Sequence, residues 1–500
     1  MFKKILIANR GEIARRILRA AREMRIPSVA IYSNPDSSSL HVQEANEAYP
    51  LEGIESKETY LDIEKIITIA KKAKVDAIHP GYGFVSENAE FAQACEKAKI
   101  KFIGPSVKAM KLLASKVASK ELAKKVKVPV VPGTVGANLV FAQNKGRSQG
   151  SPLQELAKEI GYPLLLKATA GGGGKGMRIV HKASELQEGV EGAEREALAF
   201  FKDKTLFIEK YIENPKHIEV QLLGDEHGNL VHLFERECSI QRRHQKMIEE
   251  SPSPSLSPKL QEAICEAALK IAKEANYSSA GTAEFLLDSK GNFYFLEVNA
   301  RLQVEHPVTE EVTGIDLVQA QIRIAAGEKL WFKQKDVKQK GHAIECRLYA
   351  EDPENQFLPS EGKAALLREP RSEGIRIDSA LEEGKEILPY YDPMLAKLIV
   401  WASDRKEAIS KMQKLLRDYV LLGIRHNLDV LHYLLETSAF MKNTYHTHTV
   451  SQVIEDYIQG KKVWADKFKK LAPLFKTSPV ISNPKRKYDL PESLKGFRNV

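Results

Sequence analysis

Two acidic residues in one short segment could bind a divalent cation. Glu284 lies in the apolar run TAEFLLD and Glu297 in the apolar run FYFLEVN, with turn-forming residues at 289–292 between the two runs. Two such runs around a short glycine-containing turn predict a β-hairpin, in which the two glutamates face each other across the ladder. Carboxylate oxygens are ligands that magnesium and manganese prefer, and a cation would offset the repulsion between the two charges. The pair therefore indicates a metal site, unless the two carboxylates are exposed and unrelated.

The residues that follow Glu297 strengthen this interpretation. The apolar residues Leu296, Val298, Ala300, Leu302 and Val304 alternate with the polar residues Glu297, Asn299, Arg301, Gln303 and Glu305. Alternation of period two predicts extended backbone with one apolar and one polar face. On such a face an arginine between two acids can bind a small oxyanion with two hydrogen bonds, while a nearby carboxylate accepts a proton. The pattern indicates a site for a metal-bound nucleotide beside a small anion.

Two further segments carry groups that could contact phosphate. Residues 171–174 are four consecutive glycines, followed by Lys175 and Gly176, between the strand-like runs YPLLLKA and MRIV. Because unrestricted backbone lets successive N–H groups approach an anion, we expect a mobile phosphate lid there, the alternative being a flexible hairpin loop. A P-loop is disfavoured because Lys175 precedes glycine and no helical pattern follows. The second segment, ERECSIQRRHQK, taken alone is typical of a cationic surface loop.

The elements that must position these groups begin with a parallel sheet. The run KILIAN is followed by turn residues, a helical repeat of apolar residues and the run SVAIY, and a second strand–helix unit follows over 60–104. This βαβ order predicts a Rossmann-like domain. A dinucleotide-binding domain is disfavoured because the first turn has one glycine, Gly11, where that fingerprint needs three. Residues 138–151, rich in Gly, Ser, Asn and Gln, predict an exposed insertion.

Composition places the chain among folded globular proteins with several domains. It has 500 residues, of which 43% are hydrophobic and 28% charged. It has no apolar run of about 20 residues and carries charges throughout its N-terminus, so neither a membrane span nor a secretion signal is expected. The four cysteines are far apart, which disfavours a disulfide framework or zinc site and fits a reducing cytoplasm. Residues 461–500 account for +8 of the net charge of +9, so the basicity belongs to a tail and nucleic-acid binding by the body is not expected.

Eight segments occur together in one known family. They are IANRGEIA, HPGYGFVSEN, KATAGGGGKGM, EKYIENPKHIEVQ, ERECSIQRRHQK, EVNARLQVEHPVTE, GHAIECRLYAEDP and YYDPMLAKLI. In this order and spacing they resemble biotin carboxylase, an ATP-grasp ligase, from about Phe2 to about Ile458. The resemblance implies an α/β chain with an N-terminal Rossmann-like, pre-ATP-grasp domain at 1–113 and an ATP-grasp domain at 120–322. It also implies a Gly-rich lid at about 138–212 and a C-terminal α+β biotin carboxylase domain at 340–447, while the basic tail at 461–500 has no counterpart.

The resemblance implies ATP-dependent carboxylation of biotin by bicarbonate through carboxyphosphate, a ligase reaction that forms a C–N bond. This would be the first half reaction of a biotin-dependent carboxylase such as acetyl-CoA carboxylase, in fatty acid biosynthesis. The implied cofactors are ATP, Mg²⁺ or Mn²⁺, and biotin carried on a separate protein. The implied partners are a biotin carboxyl carrier protein, carboxyltransferase subunits and a second copy of the chain in a homodimer.

The resemblance also assigns roles to residues of this sequence. ATP would be bound by Lys116, Lys167, Gly173, Gly174, Glu209, Lys210, Tyr211, Ile212, His217, Gln241 and His244, together with Glu284 and Glu297. The metal ligands would be Glu284, Glu297 and Asn299. Bicarbonate would be bound by Lys246, Arg301, Gln303 and the backbone of Val304, with Glu305 as the base. Arg347 would stabilise negative charge on the biotin ureido oxygen. The catalytic set is then Arg301, Glu305, Arg347 and Lys246.

The sequence departs from the family pattern in a few places. Leu113-Ala114-Ser115 stands where relatives have Met-Gly-Asp, and Ala170 and Lys175 replace a glycine and an arginine of the lid. Ala109-Met110-Lys111 resembles a biotin attachment signal, but it lies in a helical pattern and we interpret it as coincidence. The alternatives are another ATP-grasp ligase, the biotin-carboxylating (A) component of a pyruvate carboxylase, or a catalytically silent scaffold that binds polyanions through the tail. The acyl acceptor is not encoded in these residues, because the half reaction does not touch it.

Overall fold

The structure is a computed structural model that describes residues 1–133, 152–168, 177–201 and 206–461. The predicted glycine lid with Gly173 and Gly174, the whole of the predicted insertion at 138–151 and the basic tail from 462 lie outside the described residues.

The N-terminal part forms the predicted parallel sheet. Its strands are β1 (Ile5–Ile7), β2 (Ser28–Tyr32), β3 (Glu47–Pro50), β4 (Ala77–His79) and β5 (Lys101–Phe102), in the order β3-β2-β1-β4-β5. Its helices are α1 (Gly11–Glu23), α2 (Leu40–Glu44), α3 (Ile63–Lys72) and α4 (Ala89–Lys97). Helices α3 and α4 begin after Asp62 and Asn88, whose side chains accept hydrogen bonds from the first-turn N–H groups. The predicted βαβ arrangement is confirmed.

Two short helices connect this part to the rest of the chain, α5 (Val107–Ala114) and α6 (Lys116–Lys125). The predicted helical stretch is interrupted at Ser115, whose hydroxyl accepts a hydrogen bond from the N–H of Ala118 and caps α6. Met110 is buried within α5. The Ala109-Met110-Lys111 sequence is therefore part of a packed helix, in agreement with its interpretation as coincidence.

A small antiparallel sheet follows. It consists of β6 (Leu164–Ala168), β7 (Met177–Val180) and β8 (Leu206–Lys210), in the order β7-β6-β8, with α7 (Pro152–Ile160) and α8 (Leu186–Phe201) in the same segment of the chain. Strands β6 and β7 flank the glycine run and pair antiparallel, with Lys167 opposite Met177. The two strand-like runs on either side of the glycines therefore do form strands, as their sequences predict.

The remainder is organised around one large antiparallel sheet. Within residues 206–461 this sheet has eight strands in the order β13-β12-β9-β10-β11-β14-β21-β19. They are β9 (Lys216–Gly224), β10 (Leu230–Arg242), β11 (Gln245–Ser251), β12 (Ser279–Leu287), β13 (Phe293–Asn299), β14 (His342–Tyr349), β19 (Ile375–Ser379) and β21 (Met394–Ala402). The sheet is continuous from the predicted metal hairpin to the strand of Arg347, so one surface can present both.

Several helices pack against this sheet, and the same part of the chain contains short strands that pair with one another. The helices are α9 (Pro258–Glu274), α10 (His306–Thr313), α11 (Leu317–Ala325), α12 (Arg405–Asp418), α13 (Leu428–Glu436) and α14 (Ser438–Met441), and a last helix runs from 449 to 461. The short strands are β15 (Glu351–Asp352), β16 (Leu358–Pro359), β17 (Gly362–Lys363), β18 (Leu366–Arg368), β20 (Glu386–Ile387) and β22 (Val420–Leu422). In the ranges that the structure covers, no helix has both the length and the apolarity to cross a bilayer.

The hairpin of β12 and β13 forms as predicted, with Glu284 paired with Glu297 in the ladder. The extended strand predicted from the alternation up to Glu305 is wrong in its length, because β13 ends at Asn299. The N–H of Ala300 donates instead to Glu87 Oε1 of the N-terminal part, at 3.2 Å. A side chain thus takes the place of a ladder partner, and the chain turns into α10.

Candidate active site

Strands β9 and β12 line the site because their side chains alternate between two buried environments. In β9, Ile218 and Val220 belong to the apolar core. His217 and Glu219 alternate with them along the strand and therefore face the opposite side of the sheet. Glu284 of β12 is the ladder partner of Glu219. The result is a buried polar face at the centre of the sheet.

Lys246 of β11 lies at the centre of this face and contacts three buried carboxylates. Its Nζ is 2.7 Å from Glu305 Oε1 and 3.2 Å from Glu284 Oε1, and it also donates to Glu219. Burial opposes the charged form, but the three carboxylates outweigh it and raise the pKa of Lys246 well above its usual value. Lys246 is therefore a fixed positive charge that can bind an anion.

Glu305 is 2% exposed and lies between Lys246 and Arg347. Its Oε2 is 2.9 Å from an Arg347 guanidinium nitrogen. Burial raises the pKa of Glu305, but Lys246 and then Arg347 lower it more, and the net pKa lies well below the usual value. Glu305 is thus ionised and able to accept a proton. An anion that draws Lys246 away would remove part of this stabilisation and make Glu305 a stronger base.

The carboxylates of the hairpin have the chemistry of a metal site. Glu284 Oε1 accepts hydrogen bonds from Asn299 Nδ2 at 2.7 Å and Gln303 Nε2 at 2.8 Å, and its Oε2 lies 2.9 Å from His217 Nε2. Burial raises the pKa of Glu297, and the charge of Glu284 raises it further. Two carboxylates and an amide are hard oxygen donors, and a divalent cation would relieve this repulsion. The donor set therefore fits magnesium or manganese.

Lysines gather on the nucleotide side of the predicted site. Lys167 Nζ lies 2.6 Å from Glu209 Oε2, and Lys120 also donates to Glu209. Burial and then the charge of Lys116 lower the pKa of Lys167 to about 8, while burial and then Lys167 lower the pKa of Lys120 to about 7. Lys116 and Glu297 line one cavity of about 210 Å³. Clustered cations that repel one another can bind a polyphosphate, which would restore their pKa values.

The predicted ATP-binding residues at the end of β8 differ in what their side chains contact. Lys210 Nζ donates to the carbonyl oxygens of Gly161 at 3.0 Å and Tyr162 at 2.5 Å, so its side chain is engaged with the loop before β6. The hydroxyl of Tyr211 lies 3.3 Å from Nε2 of His448. Ile212 is half-buried beside them.

Gln241 and His244 approach the same region from the hairpin of β10 and β11. Gln241 Nε2 lies 3.4 Å from His217 Nδ1. Arg243 and His244 form the hairpin turn, with φ of 48° and 67° respectively. Non-glycine residues adopt this left-handed conformation at a cost, and such positions concentrate at functional sites. The pKa of His244 is lowered by partial desolvation and then by the charge of His217.

The two predicted arginines are bound by carboxylates. Arg301 Nε donates to Glu87 Oε2 at 2.9 Å, and one of its terminal nitrogens donates to Asn299 Oδ1 at 3.0 Å. Arg347 Nε donates to Glu249 Oε1 at 2.5 Å, in addition to its contact with Glu305. Both guanidinium groups are therefore held in place at the site before any ligand binds.

Several residues of the site were not among those expected from the sequence. They are Glu87, Lys120, Glu219, Arg236, Glu249 and Lys397. Glu219 could have been found, because the alternation in KHIEVQ places it on the same face as His217. Arg236 donates to Glu219 Oε2 at 2.9 Å and also to Gln303, and only the tertiary structure reveals these contacts.

Three features together are those of an ATP-grasp ligase. They are a Rossmann-like sheet, a small sheet whose strands flank a glycine-rich sequence, and a hairpin with two carboxylates near lysines that could bind phosphate. The family model of the biotin carboxylase N-terminal domain matches residues 1–110, and that of the biotin carboxylase C-terminal domain matches residues 345–452. The model of the carbamoyl-phosphate synthase L chain ATP-binding domain matches residues 115–333. The chain belongs to the biotin carboxylase family, and the predicted family and fold class are confirmed.

Curated relatives cover most of the chain. The A component of pyruvate carboxylase from Methanothermobacter thermautotrophicus is 48% identical over 90% of both chains. Biotin carboxylase 2 of Bacillus subtilis is 49% identical over 90% of this chain and 100% of its own length. The mitochondrial methylcrotonoyl-CoA carboxylase alpha subunit of Rattus norvegicus is 49% identical over 91% of this chain, which spans only 62% of that longer protein.

Solved structures agree with the fold. The biotin carboxylase domain dimer of Hydrogenobacter thermophilus 2-oxoglutarate carboxylase, in complex with MgADP, ADP and bicarbonate, has a TM-score of 0.84 and 47% identity. The match covers 91% of this chain and 98% of that one. Campylobacter jejuni biotin carboxylase, in a β,γ-ATP complex, has a TM-score of 0.84 and 44% identity over 90% and 99% of the two chains. The chain is an ATP-dependent ligase, and its activity class is ATP-dependent carboxylation of biotin.

Proposed function

We propose that the chain carboxylates biotin borne on a separate carrier protein, using ATP, Mg²⁺ or Mn²⁺, and bicarbonate, through carboxyphosphate. The observation that carries this proposal is the position of Lys246. It contacts Glu284, one of the two carboxylates of the proposed metal site, and Glu305, which lies beside Arg347. One fixed cation thus links a nucleotide site to a site for a small anion and a base. The bicarbonate and MgADP of the Hydrogenobacter thermophilus relative support the same ligands here.

On the nucleotide side, Glu284, Glu297 and Asn299 would hold the metal. A divalent cation at that position supplies charge neutralisation to a transferring phosphoryl group. Lys116 and Lys167 would bind phosphate oxygens, with Glu209 orienting Lys167 through the contact of 2.6 Å. The glycine lid with Gly173 and Gly174 would cover the phosphates.

On the bicarbonate side, three side chains would bind the anion. Lys246 supplies the positive charge, while Arg301 and Gln303 supply directed N–H groups. Glu305, 2.7 Å from Lys246, would take the bicarbonate proton. Removal of that proton makes the bicarbonate oxygen a better nucleophile towards the phosphoryl group.

Arg347 would act on biotin. Its guanidinium is held between Glu249 and Glu305, which leaves donor capacity for a further oxygen. Negative charge that develops on the ureido oxygen would be stabilised by this cation while the ureido nitrogen loses its proton. The same arginine would lie beside the base, so the bicarbonate and biotin steps share one small region.

The decisive experiment measures ADP formation by the purified chain with Mg²⁺. We expect ADP formation to require bicarbonate, to rise with free biotin, and to fall at least a hundredfold in Glu305→Gln. ADP formation that is equally fast in bicarbonate-free buffer would contradict the proposal and favour a different ATP-grasp ligase.

We propose two candidate holoenzymes. One is an acetyl-CoA carboxylase of fatty acid biosynthesis. The other is a pyruvate carboxylase, which is supported by the similarity to the A component of the Methanothermobacter enzyme over 90% of both chains. Both require a carrier protein and carboxyltransferase subunits. Carboxylation of pyruvate or of acetyl-CoA, after reconstitution with the carrier and transferase from the same cell, distinguishes them.

We further propose that the chain forms a homodimer and acts in a reducing cytoplasm. We also propose domain bounds of 1–113, 120–322 and 340–447. The relative described as a dimer supports the first point. The four cysteines are free and buried, which is compatible with a reducing compartment. Light scattering of the purified chain tests the dimer.

A further inference from the structure

The segment between β13 and α10 carries three of the proposed catalytic and binding side chains without belonging to a helix or strand. Residues 300–305 include Arg301, Gln303 and Glu305. Backbone groups outside regular structure need other partners when they are buried. Two successive carbonyl groups of this segment find them in His306 and Lys397.

His306 holds the first carbonyl. Its ring Nδ1 lies 2.8 Å from the carbonyl oxygen of Gln303, and the ring is fully buried. The backbone N–H of His306 donates to the same oxygen over a longer distance of 3.3 Å, so the ring makes the shorter of two contacts. Burial, and then the charge of Lys397, keep the pKa of His306 well below its usual value. The ring is therefore neutral, and its single proton is on Nδ1, where the carbonyl accepts it.

Lys397 of β21 holds the second carbonyl. Its Nζ donates to the carbonyl oxygen of Val304 at 3.1 Å, and the side chain is fully buried. The same Nζ lies 3.3 Å from Glu12 Oε2 in α1 and 3.9 Å from Asp378 Oδ2 in β19. The lysine thus connects α1, β19 and the segment that carries the proposed base.

Fixing these carbonyls also fixes the groups that face the site. The carbonyl of Gln303 and the N–H of Val304 belong to one planar trans peptide and point in opposite directions. A hydrogen bond from His306 to that carbonyl therefore orients the Val304 N–H. In the same way, the bond from Lys397 to the Val304 carbonyl orients the next peptide and sets the direction in which the Glu305 side chain leaves the backbone.

On the basis of the function proposed above, we propose that Lys397 and His306 are positioning residues for bicarbonate. They hold the Gln303–Val304–Glu305 backbone so that the Val304 N–H and the Gln303 and Glu305 side chains converge on one anion. Neither residue touches the anion. The competing role for Lys397 is to neutralise Glu12 and Asp378 and nothing more.

The test separates these roles by removing both partners of one ion pair. In Lys397→Met/Glu12→Gln the carbonyl loses its donor, but no buried Glu12 charge remains. Asp378 keeps Arg376, whose terminal nitrogen is 2.7 Å away. We expect the KM for bicarbonate to rise about tenfold, the usual scale for one lost hydrogen bond to a charged group, while the KM for ATP stays within twofold.

A second pair of variants tests the histidine. His306→Asn keeps an N–H near the position of Nδ1, and His306→Leu removes it. We expect the bicarbonate KM to rise about tenfold in the leucine variant and to be largely rescued in the asparagine variant. Lys385→Met, at a lysine whose side chain is 43% exposed, is the control and should leave both KM values unchanged.

Three outcomes would overturn the proposal. A wild-type bicarbonate KM in the Lys397→Met/Glu12→Gln variant would mean that Lys397 only balances charge. Equal increases of both KM values, or equal defects of the two His306 variants, would indicate a general structural role. If the unmodified chain forms ADP without bicarbonate, the proposed function fails first, and that result is visible before any variant is compared.

Discussion

Replacement of Arg347 by alanine should separate the two proposed partial reactions. The guanidinium binds Glu249 at 2.5 Å and Glu305 at 2.9 Å, and its proposed third partner is the biotin oxygen. We expect Arg347→Ala to retain most bicarbonate-dependent ADP formation at pH 8 and to lose biotin carboxylation. The reason is that the oxygen that needs this cation develops its charge only when biotin reacts.

The magnitudes follow from two separate effects. Loss of one donor to a developing oxyanion typically costs about 10²–10³ in kcat, so biotin carboxylation should fall by that factor. Removal of one partner from a buried ion pair typically costs about 3–5 kcal/mol of stability, because the remaining charge has lost its partner. Burial raises the pKa of Glu249 to about 7 even though Arg347 lowers it, so protonation of Glu249 once Arg347 is removed limits this loss.

The pH dependence gives an independent check. Arg347 is one of the groups that lower the pKa of Glu305, so its removal raises that pKa. Glu305 then becomes protonated at a higher pH, and ADP formation in Arg347→Ala should fall earlier on acidification than in the unmodified chain. The acidic limb of the pH profile is therefore expected to move to higher pH.

The assay measures ADP release and carboxybiotin formation in parallel, from pH 6 to pH 9. Arg405→Ala is the matched control, because Arg405 also binds a buried glutamate, Glu250, through two bonds of 2.7 and 2.9 Å. The control should lose stability without separating the two activities. Equal loss of both activities at pH 8 in Arg347→Ala would refute the reasoning and assign Arg347 to the bicarbonate step.

Four further predictions follow from the same contacts and from the sequence. Glu297→Gln should abolish ADP formation at ordinary Mg²⁺ and recover it in a large Mg²⁺ excess; full activity at ordinary Mg²⁺ would contradict a metal role. Burial raises the pKa of Glu250, but its hydrogen-bond partners lower it to a net value of about 2. Its ionised form thus stabilises the fold by about 3 kcal/mol above pH 4.5, and this is lost as the pH falls towards 2. The urea concentration at the midpoint of unfolding should therefore fall less steeply between pH 7 and pH 3 in Arg405→Ala than in the unmodified chain. Equal slopes would rule out this contribution of Glu250. Hydrogen exchange at 171–176 should slow when ATP binds, and unchanged protection at saturating ATP would argue against a lid. Deletion of 462–500 should leave turnover of free biotin unchanged and slow carboxylation of the carrier at low ionic strength, whereas loss of both would assign the tail to the fold.

Local patterns were sufficient to predict the elements that form from neighbouring residues. The hairpin that pairs Glu284 with Glu297 was predicted because its two runs and its turn lie within about twenty residues. The parallel sheet of the N-terminal part was predicted in the same way from its βαβ order. In both cases the period of the apolar residues and the turn chemistry agree with the tertiary structure.

The same reasoning failed where distant residues decide the structure. Alternation predicts an extended strand up to Glu305, but Glu87 binds the N–H of Ala300 and the strand stops. Alternation places Glu219 on the same polar face as His217, but its contacts with Arg236 and Lys246 come from other strands and are visible only in the tertiary structure. The contact between Lys397 and Val304 joins residues 93 positions apart, and no local pattern reports it. The residue roles taken from the family resemblance remain predictions, although Glu284 and Glu305 contact Lys246 directly. His217, Gln303 and Arg347 in turn contact those two carboxylates.

The site has two parts whose side chains are held in place by different kinds of contact. The proposed metal ligands Glu284, Glu297 and Asn299 lie on one hairpin, so local strand pairing is enough to bring them together. The bicarbonate and biotin groups are instead held from outside the segment that carries them, Arg301 by Glu87 and Glu305 by Arg347. We therefore expect metal binding to depend on the local pairing of this hairpin, and bicarbonate and biotin binding to depend on contacts between residues far apart in the sequence. Substitutions at those outer contacts should uncouple ATP cleavage from carboxylation more readily than they weaken ATP binding.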